Sequence, residues 1–475
     1  MSAKKTSTPI GPGRTLFLDI GILGASNAFG KLLWATSLML MMRALGPADY
    51  GRLVVIWSVA GMIAPLTDLG LSQLLLREGS RQPALTKHLR RLALLMRLAV
   101  GLPVVAAIVI FSSHGVHFSH LSLVTVAIAT AAPLVDGAFM TATASAQVEG
   151  KLKSLALWRL AGFAALAMLL LLLLPYYNGM TVSATAYLGA SMAALLGFFL
   201  SAKSEIRPES STPISTRAAL HRARPFLFMG VAAVAYGKLD VALIGITIDS
   251  TSAAYYHASY QIILLVFSVP EVIFVAMFAG LYRSRAEAGL LAQQWPSISK
   301  VLCAVTAVIL PSLWLYSPEV MKLLGGESFQ PAGNVLRALC FMIALIPAAA
   351  SFNFLLLLDR PHERAIIDST CVAATALAIV IIAPRLGVTW AALMASAIYA
   401  FGCGVSWSRV KAAGLKLGWG ADMFRAILLS TPSALLWLLP WPAWWMGASS
   451  QALASGCILY FSGFVKISDL RVATQ

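Results

Sequence analysis

Apolar runs long enough to cross a bilayer recur along the whole chain, and nothing else in the sequence restricts its fold as much. A membrane-crossing helix needs about 20 predominantly apolar residues. Such runs begin near Leu16 and continue to the C-terminus. With 59% hydrophobic and only 11% charged residues over 475 positions, the composition excludes a soluble domain. The reading is an all-α membrane protein with fourteen transmembrane helices. They fall at about 16–42, 53–76, 92–112, 121–145, 156–174, 182–202, 225–248, 254–281, 299–316, 335–358, 366–383, 388–408, 425–440 and 446–465.

A net charge of +16 would point to nucleic acid in a soluble chain. Its placement gives a better account, and no nucleic-acid partner is expected. With an N-inside topology, 28 of the 35 Lys and Arg residues fall on cytoplasmic segments. Five lie on the outer side (Arg43, Arg52, Lys322, Arg337, Arg385) and two, Lys31 and Lys238, lie in mid-span. This follows the positive-inside rule, and an odd number of spans would destroy the alternation. Both termini are therefore expected in the cytoplasm. The first apolar run is too long for the core of a signal peptide and carries Asn27 and Lys31. The five cysteines stand singly inside apolar segments, which argues for packing roles and against a disulfide framework.

The polar stretch from Lys203 to Arg224, with Pro208, Pro213 and a Ser/Thr cluster, reads as a cytoplasmic linker. It divides the chain into an N-lobe (1–202), the linker (203–224), a C-lobe (225–408) and two further spans with a tail (409–475). Each lobe opens with a helix that carries a lysine after an aromatic-glycine pair, Phe29-Gly30-Lys31 and Tyr236-Gly237-Lys238. Each second helix pairs a proline with a carboxylate, Pro65 with Asp68 and Pro270 with Glu271. Two six-helix units that start on the same side imply a pseudo-two-fold axis along the membrane normal. Chance resemblance between apolar segments is the alternative.

The stretch Arg43-Ala44-Leu45-Gly46-Pro47-Ala48-Asp49-Tyr50-Gly51-Arg52-Leu53, then Thr67-Asp68-Leu69-Gly70-Leu71 and Leu76-Arg77-Glu78, resembles the polysaccharide (Wzx-type) flippases of the multidrug/oligosaccharidyl-lipid/polysaccharide exporter superfamily. The segments Lys238-Leu239-Asp240-Val241 and Ala253-Ala254-Tyr255-Tyr256-His257-Ala258 are similar to that family too. The resemblance implies a bacterial inner-membrane protein that flips an undecaprenyl-pyrophosphate-linked oligosaccharide to the periplasmic leaflet by alternating access. Membrane lipids, a polysaccharide polymerase and a chain-length regulator are the partners it implies. The family has no short catalytic signature, so no site residue is carried over from it.

Charge inside a bilayer is costly, so intramembrane ionisable groups usually face a polar interior. Lys31 and Lys238 each lie about 13 residues into their spans, near 20 Å of helical rise, and are candidate ligands for a pyrophosphate. Asn27 shares a helix face with Lys31. Static pairing of each lysine with a nearby carboxylate is the structural alternative. Asp68, Asp136, Asp240 and Glu271 are candidates for ion coupling, because desolvation favours a neutral carboxyl; static hydrogen bonding competes with that role. Arg43, Arg52 and Arg337 could line an outer exit or anchor helix ends among headgroups. The cluster Lys87-His88-Leu89-Arg90-Arg91 reads as a topology determinant that contacts anionic lipid.

His114, His117 and His120 lack a carboxylate or thiol beside them, so no metal is expected. No nucleotide-binding loop is present, and no cofactor is expected. A multidrug exporter or a peptidoglycan-precursor flippase of the same superfamily is the nearest alternative function. A membrane polysaccharide polymerase or ligase is the alternative from another class. The longest outer loop, about Ser317 to Asn334, holds only Glu319, Lys322 and Glu327 as charges, and no catalytic constellation stands outside the membrane.

Overall fold

Breaks inside helices, more than loops between them, shape this molecule. The computed structural model describes residues 12–114, 122–177, 179–201, 215–235, 237–283, 288–358, 360–415, 418–438, 443–466 and 469. The first six helices are α1 (Pro12–Ile63), α2 (Leu71–Arg81), α3 (Thr86–His114), α4 (Leu123–Glu149), α5 (Leu152–Leu173) and α6 (Gly179–Ser201). Next come α7 (Thr216–Ala235), whose first two turns lie within the stretch read as a linker, α8 (Lys238–Thr247), α9 (Ser250–Arg283) and α10 (Ala288–Leu315). Next are α11 (Ser317–Gly325), α12 (Ala332–Ala344), α13 (Ile346–Leu357), α14 (Pro361–Leu386) and α15 (Val388–Ala412). The chain closes with α16 (Gly420–Ser430), a 3₁₀ stretch at Thr431–Leu438 and α17 (Trp444–Phe461).

Every one of the fourteen expected segments overlaps a helix or a helix pair, and no strand occurs among the described residues. The protein is a multi-pass membrane protein. Eight helices among the described residues are long and apolar enough to cross a bilayer, or nine if the α12–α13 pair, bent by 56°, is one span. Breaks shorten or join the regular segments at several of the expected spans. α1 turns at Gly46 (φ 70°), just before Pro47, and so joins two expected spans. The expected second span is divided by a 3₁₀ stretch at Ala64–Asp68, and the seventh is divided between α7 and α8.

Two groups of helices pack around these breaks. α1, α4, α5 and α6 contact one another, with α3 against α4 and α2 against both α3 and α4. α9, α12, α14 and α15 form the second group, with α8 against α9 and α14, and with α13 against α14 and α15. α10 carries α16 and α17 on its side. The expected echo between the two halves departs in detail. In the first half the lysine helix runs on past Lys31 and the second span is broken at Pro65. In the second half the lysine helix is broken at Gly237, and α9 runs on through Pro270.

The break near Pro65 has a visible cause. Proline offers no N–H, and the chain passes into a 3₁₀ turn that ends in two left-handed residues, Leu69 (φ 55°) and Gly70 (φ 80°). A freed carbonyl in an apolar bundle needs a donor. Ala64 O accepts from Thr67 Oγ1 at 2.6 Å and from Arg97 Nη1 at 3.0 Å. The same guanidinium reaches Asp68 Oδ2 at 2.7 Å, Thr67 Oγ1 at 3.0 Å and Thr141 Oγ1 at 3.2 Å. Asp68 also accepts from the Gly70 amide and from the Ser72 amide and hydroxyl. Ser72 Oγ in turn lies 2.7 Å from Thr141 Oγ1. One buried ion pair thus ties the break to α3 and α4.

This network gives a direct test. Breaking a buried pair by removing one partner costs about 3–5 kcal/mol, because the remaining charge is left uncompensated. Arg97→Gln or Asp68→Asn alone should lower the melting temperature of the purified protein sharply. The double variant should lose clearly less than the sum of the two. Additive losses in that double-mutant cycle would mean that the two side chains do not act as one unit.

Candidate functional site

The two helix groups meet chiefly where α1 lies against α8 and α9. Two glycines permit the close approach. A Cβ on Gly51 would collide with the Ser250 carbonyl, and one on Gly245 would collide with the Val55 side chain. Around them Tyr50 is wholly buried, and its hydroxyl lies 2.9 Å from His257 Nδ1. Phe329 stands edge-on to both Tyr50 and Tyr255, with centroids 5.9 Å apart in each case. The Tyr255 hydroxyl donates to the Ser328 carbonyl at 3.0 Å. Arg43 donates to the Leu323 carbonyl in α11. The end of the bundle that carries residues 43–52 is therefore sealed by packed aromatics from both groups.

Lys238 lies deeper, beneath this seal. Gly237 is left-handed (φ 77°), and Lys238 is the first residue of α8. By sequence this lysine falls near the middle of an expected span. The α7–α8 break instead puts it at a helix N-terminus, beside unsatisfied backbone N–H groups that no side chain caps. Its ammonium crosses to the other helix group and lies over Gly61 of α1, 2.5 Å from where a Cβ would stand. Asp136 of α4 and His257 of α9 both stand within its electrostatic range. Lys31 is half-buried on α1, three residues before Trp34, and makes an interaction of its own. The Asn27 side chain lies outside the described residues.

The candidate acids occupy different environments. Asp68 is held by Arg97, as described above. Asp240, two residues after Lys238, points elsewhere, as the spacing requires. It accepts from the Tyr256 hydroxyl at 2.8 Å and faces a small cavity with Tyr260, Met342, Val372, Thr375 and Ala395. Asp136 is half-buried and lines a second cavity. The Glu271 side chain, like His117, His120 and the His114 side chain, lies outside the described residues. No group of three or more His, Cys, Asp or Glu suited to a metal occurs among the described residues.

The outer arginines have local partners. Arg52 pairs with Asp49 at 2.7 Å, one turn away. Arg337 donates to the Trp314 and Leu315 carbonyls at the end of α10 and sits 5.7 Å over the Trp314 ring. Cations at a helix C-terminus are favoured by its dipole. Two residues counted as cytoplasmic topology charges are also engaged inside the bundle. Arg97 holds the break at Pro65, and the Arg159 guanidinium lies over the rings of Phe139 and Phe163 at 5.5 and 5.9 Å. Their signal was present in the sequence, because both fall within the first two turns of an expected span. Arg90 of the inner basic cluster pairs with Glu149 at 2.8 Å.

The seal gives a second prediction. The Gly245 Cβ position lies 3.3 Å from Val55 Cβ, close to the separation that a disulfide spans. With the exposed Cys457 replaced by serine, a Val55→Cys/Gly245→Cys pair should cross-link under mild oxidation, and function should return on reduction. Failure of the pair to cross-link in the resting protein would contradict this packing of α1 on α8.

With this geometry in place, the chain can be compared with known proteins. No curated protein matches the sequence significantly. A solved multidrug resistance MATE family transporter of the MOP superfamily, inward-facing, is 13% identical, with a TM-score of 0.64 over 82% of this chain and 96% of its own. The lipid II flippase MurJ in an inward closed conformation is 13% identical, with a TM-score of 0.65 over 93% and 98%. A MOP superfamily transporter from Pyrococcus furiosus, described by a binding pocket of reverse polarity, is 15% identical, with a TM-score of 0.54 over 83% and 96%. At such identities these likenesses establish the fold, which is that of membrane transporters and flippases. A family model described as polysaccharide biosynthesis protein matches residues 17–282, more than half of the sequence, and the chain belongs to that family.

Proposed function

We propose that the protein flips an undecaprenyl-pyrophosphate-linked oligosaccharide, an O-antigen or exopolysaccharide repeat unit, from the cytoplasmic to the periplasmic leaflet of the bacterial inner membrane. The reading takes the fourteen-span, two-lobe topology with both termini cytoplasmic. The observation that carries it is Lys238. A cation at the N-terminus of a broken helix, pressed against a glycine of the opposing helix group, is an anion site placed where two lobes would part. Lys31 is the second ligand of this clamp. The seal around Tyr50, Phe329 and His257 supports a resting state that is closed at the periplasmic end.

In this cycle the diphosphate enters from the cytoplasmic side and engages both lysines. The dianion draws the two lysines together in a medium of reduced dielectric. Closure around the head group then breaks the α1–α8/α9 seal. Arg43, Arg52 and Arg337 already spend their donors on carbonyls and Asp49, and they enter this scheme only as anchors of helix ends. Asp240 is the coupling carboxylate: it is buried, faces a cavity and has one hydroxyl partner. Asp68 is locked to Arg97 and is a poor candidate for reversible protonation.

Lys31→Ala or Lys238→Ala should abolish polysaccharide export at normal protein abundance, with the lipid-linked intermediate accumulating in the inner leaflet. Lys→Arg should retain part of the export. Wild-type export by both alanine variants would remove the clamp. For coupling, Asp240→Asn should leave substrate binding intact while transport in proteoliposomes loses its dependence on pH. A preserved pH profile would move coupling to another group, Glu271 first.

A further inference from the structure

The end of the stretch read as a linker, Ser215 to Arg224, is packed onto the first helix group. Ser215 Oγ accepts from the Ala218 amide at 3.3 Å and opens α7. Ala219 and Ala223 are wholly buried in one apolar cluster with Leu71, Leu74 and Leu75 of α2 and Leu89 of α3. At 3.6 residues per turn Arg217, His221 and Arg224 fall on the opposite face of α7, and all three are exposed. On α2 the same division leaves Arg77 and Arg81 exposed. Glu78, 4.0 Å from Arg77, is the single acid in residues 71–91 and 215–224. Like charges are thus gathered where α2 packs against both α3 and α7.

α3 shows what suits them. Lys87, Arg91, Leu95, Leu98 and Leu102 recur at spacings of three and four and share one helix face. All are exposed, the leucines at 49%, 60% and 67%. The opposite face, with Leu89, Leu92, Ala93 and Arg97, is buried. A tight turn, closed by the Leu85 amide on the Gln82 carbonyl at 3.0 Å, brings Arg81 to the start of this stripe. One helix face therefore passes from cations to bare leucines within a turn. Leucines exposed on a spanning helix face acyl chains, so the cations just before them stand at the depth of the phosphates of the same leaflet. An acidic protein or a nucleic acid would meet the charges and make no use of the stripe. α3 packs on α2 and α4 and takes no part in the α1–α8/α9 boundary where the substrate diphosphate is proposed to bind.

We propose that this flank is a seat for an anionic phospholipid of the inner leaflet. Its phosphate lies among Arg81, Lys87 and Arg91, and an acyl chain runs along Leu95, Leu98 and Leu102. A phosphate there also offsets the repulsion between the cations of α2 and those of the docked start of α7. α7 packs on both α2 and α14 and ends at the Gly237 break beside Lys238. The charge of the leaflet thereby acts on a helix that touches both groups.

The test uses the purified full chain and native mass spectrometry, with phosphatidylglycerol and phosphatidylcholine offered at equal concentration. Phosphatidylglycerol should be retained in preference, and an analogue with a photoactivatable acyl chain should label α3 within residues 95–102. Lys87→Gln/Arg91→Gln should lower the affinity for phosphatidylglycerol about fivefold for each charge removed, the worth of one basic residue at an anionic surface. Lys411→Gln/Arg425→Gln removes the same charge at exposed positions of α15 and α16 and should leave that affinity unchanged. Phosphatidylglycerol should also raise the melting temperature of the wild type, and Arg217→Gln/Arg224→Gln should shrink that rise while the label stays on α3. Equal losses in the Lys87/Arg91 and Lys411/Arg425 pairs would reduce the seat to general charge attraction, and label outside α3 would place the lipid elsewhere. Either result overturns the proposal. So does displacement of phosphatidylglycerol by polyglutamate, or stronger retention of undecaprenyl diphosphate through Lys87 and Arg91, which would assign these cations to an acidic partner or to the substrate. None of these readouts involves transport, so the outcome stands apart from the flippase reading.

Discussion

Carbonyls at a helix break inside an apolar bundle need donors, and Ala64 O takes one from Arg97 and one from the Thr67 hydroxyl. The rest of the first helix group is arranged around this requirement. Pro65 ends the α-helical ladder, the 3₁₀ turn redirects the chain, and left-handed Leu69 and Gly70 start α2 on a new axis. Without a cation at this depth, the break would expose backbone acceptors to an environment that cannot solvate them. Asp68 neutralises the guanidinium and is itself held by Ser72 and the Gly70 amide. The charge pair is thus the means by which a broken helix is tolerated inside the bundle.

The second break is handled differently. At Gly237 the chain restarts as α8 with no side-chain cap, and the uncapped amides are left beside Lys238. A satisfied break is a structural joint, whereas the uncapped one next to a cation is where we propose that an anion binds. This contrast separates the two halves more clearly than their shared pattern of lysine, proline and acid unites them. In the proposed cycle the α1–α8/α9 contact has to be both tight and separable. Its glycines allow close packing, and Tyr50 meets His257 across it.

Charge in this protein serves three purposes that composition alone cannot tell apart. Some basic residues end helices, as Arg337 does on the carbonyls of α10. Some, such as Arg97 and Arg90, satisfy buried acids. Others lie elsewhere: Arg159 lines a small cavity, and Lys238 lies over Gly61 of the opposing group. A positive-inside count treats all of these as orientation signals, and for Arg97 and Arg159 that count hid their place inside the bundle.

The sequence by itself determined that the chain is helical and lies in a membrane, roughly where its segments begin and end, and which ionisable residues lie at depth. Those are local properties, since hydropathy over about 20 residues depends only on the residues within the window. It also carried the spacing that sends Lys238 and Asp240 in different directions. Only the tertiary structure decided which depth-lying groups are satisfied. Arg97 meets Asp68 from 29 positions away, Asp240 meets Tyr256 across a turn, and Arg159 is clamped by rings from α4 and its own helix. Asp68, Asp136 and Asp240 look alike in sequence. Packing made the first an ion pair and left the other two facing cavities, because whether a buried charge finds a partner depends on which helices are brought together.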